Sequence, residues 1–553
     1  MSAGRDAGTA HASPLDVAAA PLRAPLHVCL IAAENDALPD AKVGGIADVL
    51  RDVPAALSRA GVRVTVVLPS YGHLHRRPEV TVLGTLSVRF AQGHRRIEAF
   101  TLPDPTAPDV RLVILHDAEF APCGEGRIYC DDPADAPFAT DASKYALFGA
   151  AAAELLGSEL LVRQDVLHLH DWHSAFVAIL RAFDPQHARL RDARLIFTIH
   201  NLALQGIRPF EGHVSSLQRW YPWLSAERQA LVDPRWHDCV NPMAAAIRLA
   251  DRVHAVSPTY ALEIVEPDDP ARGFRGGEGL QADLATAAAQ GRLVGILNGT
   301  AYPGTDAPDQ AIATRVPGDA GTRWRRWMRQ LADDLLATLG GDGQLRAVDY
   351  IAHQRVLDWS ASSRPMHVLT SVGRLVDQKA SLLFEPLDDG RAMLDHLLER
   401  HAEHAVLLLV GSGDPAMEAA MHATAARQPN LLFINRHADG IADSLFRNGD
   451  LFLMPSSFEP CGISQMLAMR AGQPCLVHAV GGLVDTVEDG IDGFHFSGTS
   501  RPAQARAMIA ALGDALRQRG DDAGWRQIVN RAAARRFDWQ TSARRYLTEL
   551  YRS

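Results

Sequence analysis

With 553 residues, 47% of them hydrophobic and 22% charged, the chain has the profile of a soluble globular protein long enough for two or three domains. Its formal net charge of -10, its pI near 6.1 and the lack of like-charge runs exclude a general nucleic-acid binder. No apolar run approaches the roughly 18–20 residues of a bilayer span, so no membrane partner is expected.

The six cysteines, Cys29, Cys123, Cys130, Cys239, Cys461 and Cys475, are scattered without a C-x-x-C pair, and a reducing cytoplasm fits that usage. Residues 1–24 are rich in Ala, Pro and Gly but lack the basic start and apolar core of a signal peptide, so a disordered lead is expected. Leu26 to Ala33 then reads as a buried strand, followed by a loop ending in Lys42-Val43-Gly44-Gly45 and by helical spacing from Ile46 to Ala60. Gly44 and Gly45 let backbone approach an anion at a helix N-terminus, and Lys42 adds a point charge beside it. A solvated lysine near a turn is the plainer reading of those residues alone.

Val62 to Pro69 supplies a second strand, and Leu86–Phe90, Ile97–Leu102 and Arg111–His116 supply more. A loop with Tyr129 leads to a helix from about Ala142 to Leu156. The strand Val166–His170 ends in Asp171-Trp172-His173, and the strand Leu195–Ile199 ends in His200-Asn201. His168 and His170 lack the Cys or carboxylate partners of a metal site, so core or capping roles are expected and no metal. Polar loops at consecutive strand ends point instead to a ligand pocket. Gly295 to Gly299, containing Asn298, closes this half.

From about residue 301 to 365 the only clear signal is helical spacing over Arg323–Leu339, with Trp324 and Trp327 between arginines. Those tryptophans suit either stacking on a sugar or packing in an amphipathic helix, the latter being commoner. A second strand-and-helix series starts at Met366. Arg374 and Lys379 lie on its first strand-to-helix turn and can converge on one anionic group. The turn Gly411-Ser412-Gly413-Asp414-Pro415 follows a strand, and its glycines suit a nearby nucleotide. The densest stretch is Asp450–Glu488, where Glu459 and Cys461-Gly462 follow one buried strand and Gly481-Gly482, with Thr486 beyond, follow another. Bare amides at Gly481-Gly482 can face a ligand oxygen, although each piece alone also reads as a cap or a tight turn.

In order, the strings KVGGIADVL, HDWH, TIHNLALQG, SPTYALEI, RLVDQK, GSGDP, PSSFEPCGISQ and GGLVDTV resemble bacterial glycogen synthases and plant starch synthases. Those are retaining transferases of the GT-B architecture, two Rossmann-like doubly wound α/β domains facing across a cleft. The resemblance implies an N-terminal domain over 25–300 on the acceptor side, a divergent helical linker over 301–365 and a nucleotide-sugar domain over 366–535. A helix over 536–553 then crosses back. It implies glucose transfer from ADP-glucose to an α-1,4-glucan such as glycogen, without cofactor or metal. Arg374, Lys379, Glu459, Asp171 and His200 are the implied catalytic residues. Lys42, Gly44, Gly45, Asn298, Gly411, Gly413, Asp414, Cys461, Gly462, Gly481, Gly482 and Thr486 are the implied substrate-binding ones.

Four departures mark the chain as divergent. Leu204 replaces a tyrosine, Ala380 a glycine, Thr300-Ala301 stands where the family has I-D with its acidic residue, and residues 141–145 match only in part. A transferase with another nucleotide sugar or a small acceptor, and a non-catalytic glucan-binding relative, stay open beside the synthase. The oligomeric state stays open as well.

Overall fold

The computed structural model describes residues 25–302, 319–341, 346–436 and 438–552, so the expected disordered lead at 1–24 lies outside the described residues. The continuous apolar runs of the sequence become strands buried on both faces, as parallel sheets flanked by helices require.

The amino-terminal half builds β1 (His27–Ile31), β2 (Arg63–Pro69), β3 (Thr81–Phe90), β4 (Gly93–Pro103), β5 (Arg111–His116), β6 (Val166–His170) and β7 (Arg194–Ile199). A short ribbon, β8 (Arg208–Pro209) with β9 (Cys239–Val240), precedes β10 (Arg252–Ala255) and β11 (Leu293–Gly295). All but the ribbon join one nine-stranded sheet in the order β11-β10-β7-β6-β1-β2-β5-β4-β3. Pairing is parallel from β11 to β5, and β4 and β3 add an antiparallel hairpin at the edge.

The carboxyl-terminal half builds β12 (His367–Val372), β13 (Ala405–Val410), β14 (Leu431–Ile434), β15 (Leu451–Met454), β16 (Cys475–His478) and β17 (Gly493–Phe496). They form a second, wholly parallel sheet in the order β14-β13-β12-β15-β16-β17.

Two helices, Ala320–Gly341 and Ala347–Ala361, precede β12. Trp324, Trp327, Met328 and Leu331 pack with Val368, Val406 and Leu432 of the second sheet. Trp324 Nε1 donates to Trp359 O at 3.0 Å and Trp327 Nε1 to Ser444 Oγ at 3.1 Å, so packing, not sugar stacking, accounts for both rings. At the other end, Trp539, Ala543, Tyr546 and Leu550 pack with Val28, Leu30 and Val49 of the first domain. Trp539 Nε1 donates to Asp52 at 3.0 Å, and a Cβ on Gly299 would meet Trp539 N at 2.7 Å, so glycine there admits the returning segment.

Cys123 and Cys130 are joined in a disulfide, which corrects the expectation of reduced thiols throughout. The turns between them bring two positions together that carry no signature in sequence. Among the described residues no helix is long and apolar enough to cross a membrane.

Candidate active site

In an open α/β sheet, ligands bind beyond the carboxyl ends of the strands where the strand order reverses. In the first sheet that point lies between β1 and β6, and in the second between β12 and β15. The residues leaving these four strands are the ones singled out by sequence: 32–45 after β1, Asp171 after β6, 373–379 after β12 and 455–462 after β15. Neighbouring β7 adds His200, and β16 adds Gly481-Gly482.

The loops after β7 and β12 meet across the domain boundary, and those after β12 and β15 meet within the second domain. Asn201 Nδ2 donates to Gln378 Oε1 at 3.2 Å, and the Ser457 amide donates to Gln378 O at 2.9 Å. Next along the chain, Lys379 is ion-paired to Glu459, which is nearly buried and also accepts from Ser456 Oγ at 3.2 Å. Arg374 is exposed and makes no ion pair or hydrogen bond among the described residues. The second domain therefore presents one committed and one uncommitted cation.

On the facing side, Asp171 is buried with φ 52, an uncommon backbone state for an aspartate. Its Oδ1 accepts from the His200 amide at 2.7 Å. Burial pushes the Asp171 carboxyl up to about 8, and the amides of His200 and Asn201 only partly offset that. His200 Nε2 lies 2.9 Å from His170 Nδ1, and burial pulls its imidazole down to about 3, so the ring is neutral. A neutral, oriented imidazole beside a carboxyl group suits hydrogen bonding to sugar hydroxyls.

At the Lys42-Val43-Gly44-Gly45 turn, both polar features are already engaged. Lys42 pairs with Asp48 at 2.8 Å and Asp36 at 3.2 Å. Burial alone would lower its pKa, but these two acids raise it on balance. The Val43 and Gly44 amides each donate to Glu34 Oε2 at 2.6 Å, while Gly45 begins the helix Gly45–Arg59 with open space around its Cα.

Several glycines read as ligand-facing serve close backbone packing here. A Cβ on Gly411 would lie 2.0 Å from Gly373 O, and one on Gly413 2.2 Å from Leu375 O, so both let the 373–375 and 411–413 loops touch. Asp414 caps the following helix through Ala416 N at 2.9 Å and Met417 N at 3.1 Å. The amides at Gly481-Gly482 are not bare: Gly481 N donates to Glu263 Oε1 at 2.8 Å and Gly482 N to Glu459 O at 3.0 Å. Thr486 is fully buried and donates to Gly482 O at 2.7 Å. Gly462, at φ 77, lets the chain turn above Gln465, whose amide donates to Cys461 O, Gly462 O and Thr486 Oγ1 at 3.1 Å each. Cys461 is buried, which pushes its thiol up to about 12. Asn298 Oδ1 is buried without a partner, a polar atom left for a ligand or water.

Sequence reasoning missed Glu34 and the Ser257-to-Glu263 segment as structural participants. Ser257 Oγ donates to Pro460 O at 2.6 Å, and Thr259 Oγ1 donates to Asp485 at 2.8 Å. Together with the Glu263 bond to Gly481, these dock the first domain on the loops that carry Glu459. The string SPTYALEI was visible, but its partners lie more than two hundred residues away.

Two doubly wound sheets with switch-point loops meeting at one boundary, with cations on one side and sugar-type hydrogen bonders on the other, define a GT-B glycosyltransferase. Residues 27–286 match the starch synthase catalytic domain family, and residues 367–514 match glycosyl transferases group 1. A glycogen synthase of Anaeromyxobacter sp. is 34% identical over 94% of this chain and 98% of its own. One of Streptococcus equi subsp. equi is 32% identical over 96% and 100%. The catalytic domain of starch synthase IV from Arabidopsis thaliana, solved bound to ADP and acarbose, superposes with TM-score 0.71 at 26% identity, covering 95% of this chain and 99% of that one. The chain belongs to the glycogen synthase family and is a glycosyltransferase.

Proposed function

We propose that this chain transfers glucose from ADP-glucose to the non-reducing end of an α-1,4-glucan, with retention of configuration. The observation that carries the reading is the Asn201–Gln378 contact, which brings the Asp171 and His200 loops to the pair Lys379–Glu459. Charge develops on the departing diphosphate as the glycosidic bond breaks, and Arg374 with the held Lys379 supplies positive charge there. Glu459, Asp171 and His200 hold the hexose. Lys42 and the turn after it hold the sugar nucleotide from the first domain. Asn298, Gly411, Gly413, Asp414, Cys461, Gly462, Gly481, Gly482 and Thr486 shape the pocket, most of them through the backbone contacts described above. The solved relative's ADP and acarbose support a nucleotide and an oligosaccharide as the two ligands.

We assign the helices Ala320–Gly341 and Ala347–Ala361 to the second domain's scaffold and the last helix to the first domain's. We place the reaction in the cytoplasm, where the Cys123–Cys130 bridge would exchange with the reducing thiol pool.

The test is nucleoside diphosphate release by the purified protein, with ADP-glucose and UDP-glucose in parallel, with and without glycogen, and with Glu459→Ala as control. Release that needs glycogen, favours ADP-glucose and vanishes in the variant is expected. Release independent of glycogen would point to another acceptor, and no release from either donor would sink the reading.

A further inference from the structure

Lys144 is the one lysine among the described residues whose side chain is wholly shut off from solvent, and no part of the reaction above uses it. Its ammonium sits 2.6 Å from Asp141 Oδ1 and donates to Ile128 O at 2.5 Å. It also lies 4.7 Å from the Tyr145 ring centre and 5.8 Å from that of Tyr71. Burying such a pair forfeits solvation that only this geometry offsets, so an apolar pair would fill the space at less cost.

The bonds the pair makes are arranged around one residue. Lys144 and the Tyr145 hydroxyl, at 3.1 Å, both donate to Ile128 O, while Asp141 Oδ2 accepts from Cys130 N at 3.1 Å. The backbone is thus clamped on either side of Tyr129. The Tyr129 hydroxyl donates to Glu34 Oε1 at 2.6 Å. Tyr71, 3.2 Å from the Tyr145 hydroxyl, donates to Ala33 O at 2.6 Å and so holds the residue beside Glu34. Glu34 Oε2 in turn takes the Val43 and Gly44 amides.

We propose that Asp141 and Lys144 are a positioning pair for the Lys42-to-Gly45 turn, acting through Tyr129 and Glu34. Neither touches substrate. The pair fixes the donor side of the Tyr129–Glu34 bond, the Tyr71–Tyr145 hydroxyls fix the acceptor side, and Glu34 passes that placement to the two amides of the turn. This rests on the reading that the turn holds the sugar nucleotide.

The experiment is a double-mutant cycle on the full chain, following KM for ADP-glucose and kcat at saturating glycogen, with Lys42→Ala as reference. Tyr129→Phe removes the hydroxyl alone, and Lys144→Met removes the clamp. Each is expected to raise KM on the order of tenfold with a smaller change in kcat, as for loss of a buried hydrogen bond to a charged group. The Tyr129→Phe/Lys144→Met chain should be no worse than its worse parent, because both act along one path. Where Lys144→Met alone does not fold, Asp141→Asn/Lys144→Met leaves no buried charge unpaired and takes its place in the cycle. KM effects that multiply, or a Lys144 change that lowers only the melting temperature, would overturn the proposal while Lys42→Ala still impairs the enzyme. If Lys42→Ala itself leaves KM unchanged, the reading of the turn fails and the proposal with it.

Discussion

The two cation-bearing strand-end loops are built in opposite ways. In the first domain, Lys42 is held by Asp36 and Asp48, and the amides after it are held by Glu34. In the second, Arg374 stands exposed without an ionic partner among the described residues, and only Lys379 is paired. A compensated cation is fixed in place but has part of its field cancelled nearby. An uncompensated one at a strand-end loop keeps its field for whatever arrives. Under the proposed function, the difference fits placement by Lys42 and transition-state charge from Arg374.

Removing a cation of the second domain's loop is the strongest way to break this comparison. Arg374→Ala or Lys379→Ala should lower kcat by ~10²-fold or more, the usual size for one fixed transition-state donor. Lys42→Ala should act mainly on KM in the same steady-state assay. Equal losses of kcat at Lys42 and Arg374 would erase the distinction.

The next effect tests the seam on which Glu459 sits. Gly481 has φ 45, and a Cβ there would come 2.1 Å from Glu459 O. Gly481→Ala is therefore expected to cost about 1–3 kcal/mol in denaturant unfolding and to reduce turnover by shifting the Glu459 loop. Unchanged unfolding would show that the loop yields easily.

A subtler effect belongs to the first domain. Below about 3.8, its value free of the fold, Asp171 is protonated in both folded and unfolded chains, and stability is at its fullest. Between there and about 8 only the folded chain keeps the proton, so each rise in pH through that window removes stability. Asp171→Asn abolishes this dependence. Its melting temperature should gain on that of the parent as pH rises from about 4 to about 8, and a flat difference would mean the carboxylate is charged throughout.

The smallest effect concerns a departure from the family pattern. Ala380 replaces a glycine but adopts φ -125 and ψ -10, a conformation open to any residue. Ala380→Gly should lower stability by no more than about 1 kcal/mol, through added freedom of the unfolded chain, and leave turnover near its starting value. A marked gain in kcat would show that the alanine restrains the Lys379 turn.

Legibility in sequence followed locality. The strand Ala405–Val410 and the strand Leu451–Met454 were readable because a run buried on both faces is apolar without a break. The edge hairpin Thr81–Phe90 with Gly93–Pro103 was readable only in fragments, since its alternating exposure dilutes the signal. The helix Ala347–Ala361 went unread because it is exposed along much of its length and lacks a strong apolar stripe. The glycines were seen but their task was not: whether a missing Cβ makes room for a ligand or for another loop depends on what lies opposite, and at Gly411, Gly413 and Gly482 it is backbone.

By itself, then, the sequence determined the two strand-and-helix series and the order of their loops, because periodicity and turn chemistry are properties of neighbouring residues. It also placed Arg374, Lys379, Glu459, Asp171 and His200 at readable strand ends, and the resemblance to glycogen synthases named them as the catalytic candidates. Tertiary structure alone decided the partners. Lys379 meets Glu459 eighty residues on, Tyr129 meets Glu34, Cys123 meets Cys130, and Glu263 takes the Gly481 amide. Such pairings depend on which strand ends the sheet order brings side by side, and long-range contacts of that kind leave no local pattern to read.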